Sequence, residues 1–236
     1  MTCPSTSPRG EVLGFVGESG SGKSVTAKSL MQLNADNAIY GEGSSIALSL
    51  GNDRIEVLQL RRTRDMKVVR GGVVSMIFQE PVASFAPAIL IGDQMVEHLQ
   101  IHTAMPRNEA AELSIEMLAR AGISEPRQQF HQYAFEFSGG MRWRAVIAMA
   151  LFTKPRLLIA DEPTTAIDVT IQAHVLDLTK NLVAEFHMAI LFITQDLGVI
   201  AQMADRVAVM YLGRLIEVGP DRSAIRNPQH PPIPAD

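Results

Sequence analysis

Two short stretches of the chain carry residues whose types and spacing suit the handling of phosphate. GESGSGKS, Gly17 to Ser24, matches G-x-x-x-x-G-K-[ST] and lies between a strand-like run and a helical pattern. Glycines let such a loop turn its backbone N–H groups inward as a nest for phosphate oxygens. The N-terminus of the following helix adds partial positive charge. The candidate contacts are therefore Gly17, Glu18, Ser19, Gly20, Ser21, Gly22, Lys23, Ser24 and Val25. Lys23 is placed to reach β- and γ-phosphates, and the Ser24 hydroxyl to ligate Mg²⁺. The second stretch is LLIADEP, Leu157 to Pro163. Its apolar residues predict a strand buried on both faces, and Asp161 leaves its end where Mg²⁺ would be held. Glu162 follows, positioned to accept a proton from an attacking water. The Gly17–Ser24 signal is specific in itself, whereas Asp161-Glu162 alone would be an ordinary solvated loop; together they predict nucleoside triphosphate hydrolysis.

The elements that must position these residues are legible as an alternation. Strand-like runs lie at Val12–Val16, Val73–Phe78, Leu157–Ala160, Ala189–Thr194 and Arg206–Tyr211. Helical patterns separate several of them, which predicts an α/β domain with a mostly parallel sheet. Ile171, Val175, Leu178, Leu182 and Phe186 form one apolar stripe after Asp168. From Ser84 to Phe152 the patterns are helical throughout, so an all-helical insertion in the α/β core is expected. NPQHPPIPAD, Asn227 to Asp236, predicts an extended tail.

Bulk properties narrow the function. The chain has 236 residues, a net charge of −4 and a pI of about 5.9. Nothing global therefore points to nucleic acid or an anionic membrane surface. The local run Arg61, Arg62, Arg64, Lys67 and Arg70 is expected to be a solvated basic face. A lone cysteine, Cys3, excludes an internal disulfide and any cysteine cluster for metal. The longest apolar run, Ala145 to Phe152, is far short of a bilayer span, and MTCPSTSPRG lacks the apolar core of a signal peptide. His98 and His102 stand four apart on an expected helix, a spacing that could share a metal. No third ligand is visible, so a solvated helix face is the expectation.

The residues between the two phosphate stretches carry a resemblance. FSGGMR, Phe137 to Arg142, resembles the signature motif of ATP-binding-cassette (ABC) proteins, usually LSGGQ or LSGGM. IFQEP, Ile77 to Pro81, is similar to their Q-loop, and TTAIDV, Thr164 to Val169, to their D-loop. VGESGSGKSV, LLIADEPTTA, DVTIQA and DLGVIAQMADRVAVMY resemble the dipeptide, oligopeptide and nickel importer subfamily. The signature also makes physical sense alone: Ser138, Gly139 and Gly140 open a helix with small residues, so a phosphate could approach bare N–H groups.

The resemblance implies a P-loop NTPase core, residues 1–83 and 153–226, with a helical subdomain inserted at residues 84–152. It implies ATP and Mg²⁺ as cofactors, and ATP hydrolysis coupled to uptake of peptides or similar small solutes. Ser138, Gly139 and Gly140 would meet ATP held by a second cassette subunit, and Asp168 would cross that interface. Gln79 would touch Mg²⁺ or the attacking water and relay the nucleotide state to transmembrane permease subunits. The helical insertion would dock on them, and a solute-binding protein would take part indirectly. The location implied is cytoplasmic, on the inner face of the cell membrane, with no nucleic acid partner.

Four departures from the family matter. ITQDL places Gln195 where the family has a histidine that contacts the γ-phosphate. An amide donates but cannot become cationic or move a proton, so slow hydrolysis is expected. The alternative is a degenerate cassette that supports an active partner without efficient turnover. Trp143 stands where the subfamily has glutamine, and Ser84–Pro87 reads SFAP instead of SLNP. Sixteen residues precede the phosphate loop, where the family has a further strand and an aromatic that stacks on adenine. Reduced nucleotide affinity and weak base selectivity are expected, with Tyr40 too far along the chain to substitute.

Overall fold

Strand β1, Val12–Val16, reads VLGFV and is buried along its whole length. An unbroken apolar run of this kind belongs in the middle of a sheet covered on both faces, and it lies there. The sheet is six-stranded, in the order β4-β5-β6-β1-β7-β8. Its other members are β4 (Val74–Ile77), β5 (Leu157–Asp161), β6 (Ala189–Ile193), β7 (Arg206–Tyr211) and β8 (Arg214–Pro220). All neighbours run parallel except β7 and β8. The computed structural model describes residues 10–60, 63–79, 84–164 and 169–220, with only the backbone at residues 63, 64 and 169–171.

Five strands coincide with the sequence expectation to within a residue at either end. Two features were not expected. β8 pairs antiparallel with β7 across Leu212 and Gly213, both at positive φ, the conformation a tight hairpin needs. A separate hairpin joins β2 (Ala47–Leu50) and β3 (Asp53–Glu56).

Alternation along β1 divides the core. Leu13 and Phe15 pack with Ala27 of α1 (Lys23–Ser29) and Met66 of α2 (Thr63–Val69). Val12 and Val16 face the other layer. That layer holds α7 (Val169–Phe186) and α8 (Leu197–Met203), and it continues into the helical stretch. The helical stretch comprises α3 (Ile91–His102), α4 (Arg107–Arg120), the short α5 (Pro126–Gln129) and α6 (Gly139–Leu151). Trp143, which departs from the subfamily's glutamine, is 2% exposed and anchors α6 in this core. Phe85, within the SFAP departure, is likewise buried. Among the described residues no helix is long and apolar enough to cross a membrane.

Candidate phosphate site at the carboxyl ends of four strands

Four neighbouring parallel strands deliver the predicted residues at their carboxyl ends. β1 runs directly into Gly17, and β5 ends on Asp161 with Glu162 next. β4 ends two residues before Gln79, and β6 two residues before Gln195. The carboxyl edge of a parallel sheet is where α/β proteins bind ligands.

The phosphate loop is built tightly. A Cβ on Gly17 would lie 2.1 Å from the Met210 carbonyl oxygen, so only glycine fits there. The Gly213 N–H donates to the Ser21 carbonyl at 2.9 Å and closes the floor. Met210 and Gly213 are supporting residues that sequence reasoning missed, since no motif marks them. Lys23 curls back so that Nζ donates to the carbonyls of Gly17 at 2.7 Å and Glu18 at 2.8 Å. Its pKa lies below the usual lysine value because burial disfavours the ammonium, against the pull of Glu162 and Asp161. Ser21 Oγ is buried and has no hydrogen-bond partner, a group suited to a phosphate oxygen. Val25 points outward, 61% exposed.

The carboxylates stand opposite. Ser24 Oγ donates to Asp161 Oδ1 at 2.9 Å. Asp161 is 4% exposed, and burial raises its pKa, partly offset by the Ser24 hydrogen bond. A hydroxyl and a buried carboxylate side by side form a hard-oxygen pair suited to Mg²⁺. Glu162 has φ of +49°, an uncommon backbone conformation for a side-chain-bearing residue. Its N–H donates to the Ile193 carbonyl at 2.9 Å. Gln79 Nε2 donates to Glu162 Oε2 at 3.1 Å, and Gln195 Nε2 to Oε1 at 3.2 Å. One amide therefore meets each carboxylate oxygen.

Gln195 is itself pinned. Thr194 is buried, and its Oγ1 accepts from the Asp196 N–H at 3.1 Å. Asp196 caps α8 by accepting from the N–H groups of Gly198 and Val199. Ser138, Gly139 and Gly140 stand apart, opening α6. Ser138 Oγ accepts from the Met141 N–H at 3.3 Å, and Ser138 and Gly139 are exposed. Asp168 and the C-terminal tail lie outside the described residues.

A groove of about 300 Å³ is lined by Met31, Met76, Phe78, His98, His102 and Met149 among others. It corrects the expectation that the histidines form a solvated helix face. The His98 ring packs 6.1 Å from Phe152, and its Nε2 is buried without a partner. Burial, with His102 beside it, lowers its pKa to about 4. The expected solvated basic run is corrected in part too. Arg70 is half-buried and donates to the carbonyls of Met31 and Gln32, while Arg61 and Arg62 lie outside the described residues. Among the described residues no cluster of three or more His, Cys, Asp or Glu could hold a metal.

The sequence profile of the ABC transporter family matches residues 4–165. The chain is 49% identical over 222 residues to a Brucella melitensis protein provisionally named as a peptide import ATP-binding protein, covering 94% of this chain and 66% of the relative. It is 48% identical to the oligopeptide transport ATP-binding protein OppD of Salmonella typhimurium, covering 94% and 64%. It thus spans just under two thirds of the length of these curated relatives. A dimeric ATP-binding cassette solved in a post-hydrolysis state with ADP and Pi superimposes with a TM-score of 0.73 at 23% identity, covering 91% of this chain and 87% of that one. That likeness shows the same fold, the ABC ATPase fold. With the family profile spanning both phosphate stretches, the chain belongs to the ABC transporter family.

Proposed function

We propose that the chain binds Mg-ATP and hydrolyses it as the cassette subunit of an importer for peptides or similar small solutes. The observation that carries this is Glu162 held between the Gln79 and Gln195 amides, beside the Ser24–Asp161 pair. Lys23 is buried in the phosphate loop, where it can exchange its two carbonyl partners for phosphate oxygens. Ser24 and Asp161 would hold Mg²⁺, which neutralises charge on the terminal phosphates when bound. Glu162 takes the proton of the attacking water. Gln79 and Gln195 keep its carboxylate aimed, and Gln195 also offers a donor toward the γ-phosphate. It supplies no cationic charge there, so turnover is slow.

The exposure of Ser138 and Gly139 supports a reading of the partners. Ser138, Gly139 and Gly140 meet ATP held by a second cassette, whose own signature turn completes this chain's site in return. The apolar groove lined by Phe78, the residue before Gln79, receives a permease segment at the inner face of the membrane, with residues 84–152 as the docking lobe. The peptide class rests on the relatives, whose names specify peptide import and oligopeptide transport.

Thermal unfolding with Mg-ATP tests the binding step. Ligand at ~100 times Kd stabilises by ~2.7 kcal/mol, or about 5–10 °C for a chain of this size. Lys23→Ala should abolish that shift. Equal protection of both proteins would remove the phosphate loop from the site.

A further inference from the structure

The segment leading into α6 presents an aromatic pair that the hydrolytic network does not use. Tyr133 and Phe135 stack with ring centroids 5.3 Å apart and planes 7° from parallel. They are 36% and 68% exposed. The presentation is built into the backbone. Residues Ala134–Glu136 form a 3₁₀ turn closed by the Glu136 carboxylate, which accepts from the Tyr133 N–H at 2.7 Å. Ala134 and Phe137 are buried on either side of Phe135, and Tyr133 bridges to Leu90. Ala134 and Phe137 are thus sunk in the core while the two rings and Glu136 are exposed. Phe135 lies three residues before Ser138, a span of at most ~10 Å, comparable to the distance between a nucleotide's terminal phosphate and its base.

We infer that Phe135, backed by Tyr133, is a stacking platform for the purine base of the nucleotide that a second cassette presents to Ser138–Gly140. This rests on the composite site proposed above. Flat apolar faces attract bases of any sequence through stacking. Phosphates at the start of α6 and the base on the rings would lie along one continuous exposed edge. The platform acts in trans, so it supplies base contact whatever aromatic lies near the phosphate loop in cis.

The test is ATP-driven dimerisation of the Glu162→Gln protein, followed by light scattering, alone and mixed with its partner cassette. Phe135→Leu keeps apolar bulk but removes the ring, and should raise the ATP concentration for half-maximal dimer about tenfold. Phe135→Tyr should match the parent. With inorganic triphosphate in place of ATP, Phe135→Leu and parent should coincide. Dimerisation of Phe135→Leu at the parent's ATP concentration would overturn the platform. An equal loss with ATP and triphosphate would mark an ordinary protein contact and overturn it too. Failure of the Glu162→Gln parent to dimerise would overturn the composite site and the platform together.

Discussion

At the scale of single residues, the informative feature is a carboxylate with an amide on each oxygen. Gln195 donates to Glu162 Oε1, so in the proposed mechanism it would both aim the base and offer a donor toward the γ-phosphate. Replacing it tests both roles. Gln195→His should raise ATP turnover about tenfold, less than the ~10²–10³ of a fully aligned donor, since the glutamine already holds some of the geometry. ATP affinity should change little, because the gain is made in the transition state. Phosphate release measured with and without Glu162→Gln in the same protein checks this; a flat response to histidine would relieve Gln195 of any rate-limiting role. His98 yields a pH prediction. Its folded pKa, about 4, lies below the usual 6.5. Between those values the unfolded chain binds more protons, so stability rises with pH there and falls on acidification. The expected loss from pH 7 to pH 4 is about 1–3 kcal/mol from this group. His98→Leu should flatten that region of a denaturation-versus-pH curve, and an unchanged curve would contradict the burial assigned to the ring.

At the scale of elements, positions without slack should be costly to alter. Gly17→Ala drives a methyl into the Met210 carbonyl, and should abolish Mg-ATP protection in thermal unfolding even where the protein still folds. Trp143→Ala should cost ~3–5 kcal/mol in denaturant unfolding, the range for emptying a buried aromatic site; a cost under ~1 kcal/mol would contradict the anchoring of α6. The parallel strands were legible because buried strands are unbroken apolar runs bounded by polar turns. The phosphate loop was legible because its chemistry demands fixed glycines and a lysine at fixed spacing. The β2–β3 hairpin was legible in principle, since Gly51 and Asn52 separate a pair of alternating runs, but the runs are short. β8 is marked only by Leu212-Gly213, a weak turn signal. The grip of Gln79 and Gln195 on Glu162 could not be read at all. It depends on β4, β5 and β6 lying side by side, a matter of topology that no local pattern encodes. His98 misled because i, i+4 spacing says which residues share a helix face, and not whether that face is covered.

At the scale of the whole molecule, the sheet gathers Glu162, the Ser24–Asp161 pair and the phosphate loop at the carboxyl ends of its strands, and the exposed Ser138 and Gly139 open α6. The central claim is that this edge hydrolyses ATP with Glu162 as the base. Steady-state phosphate release from Mg-ATP, measured for the chain with its partner cassette and for Glu162→Gln, tests it most directly. Slow but measurable turnover should fall by at least ~10²-fold in the variant, while Mg-ATP still protects both proteins against unfolding. Equal rates in the two proteins, or ATP binding without turnover in the unaltered chain, would contradict it.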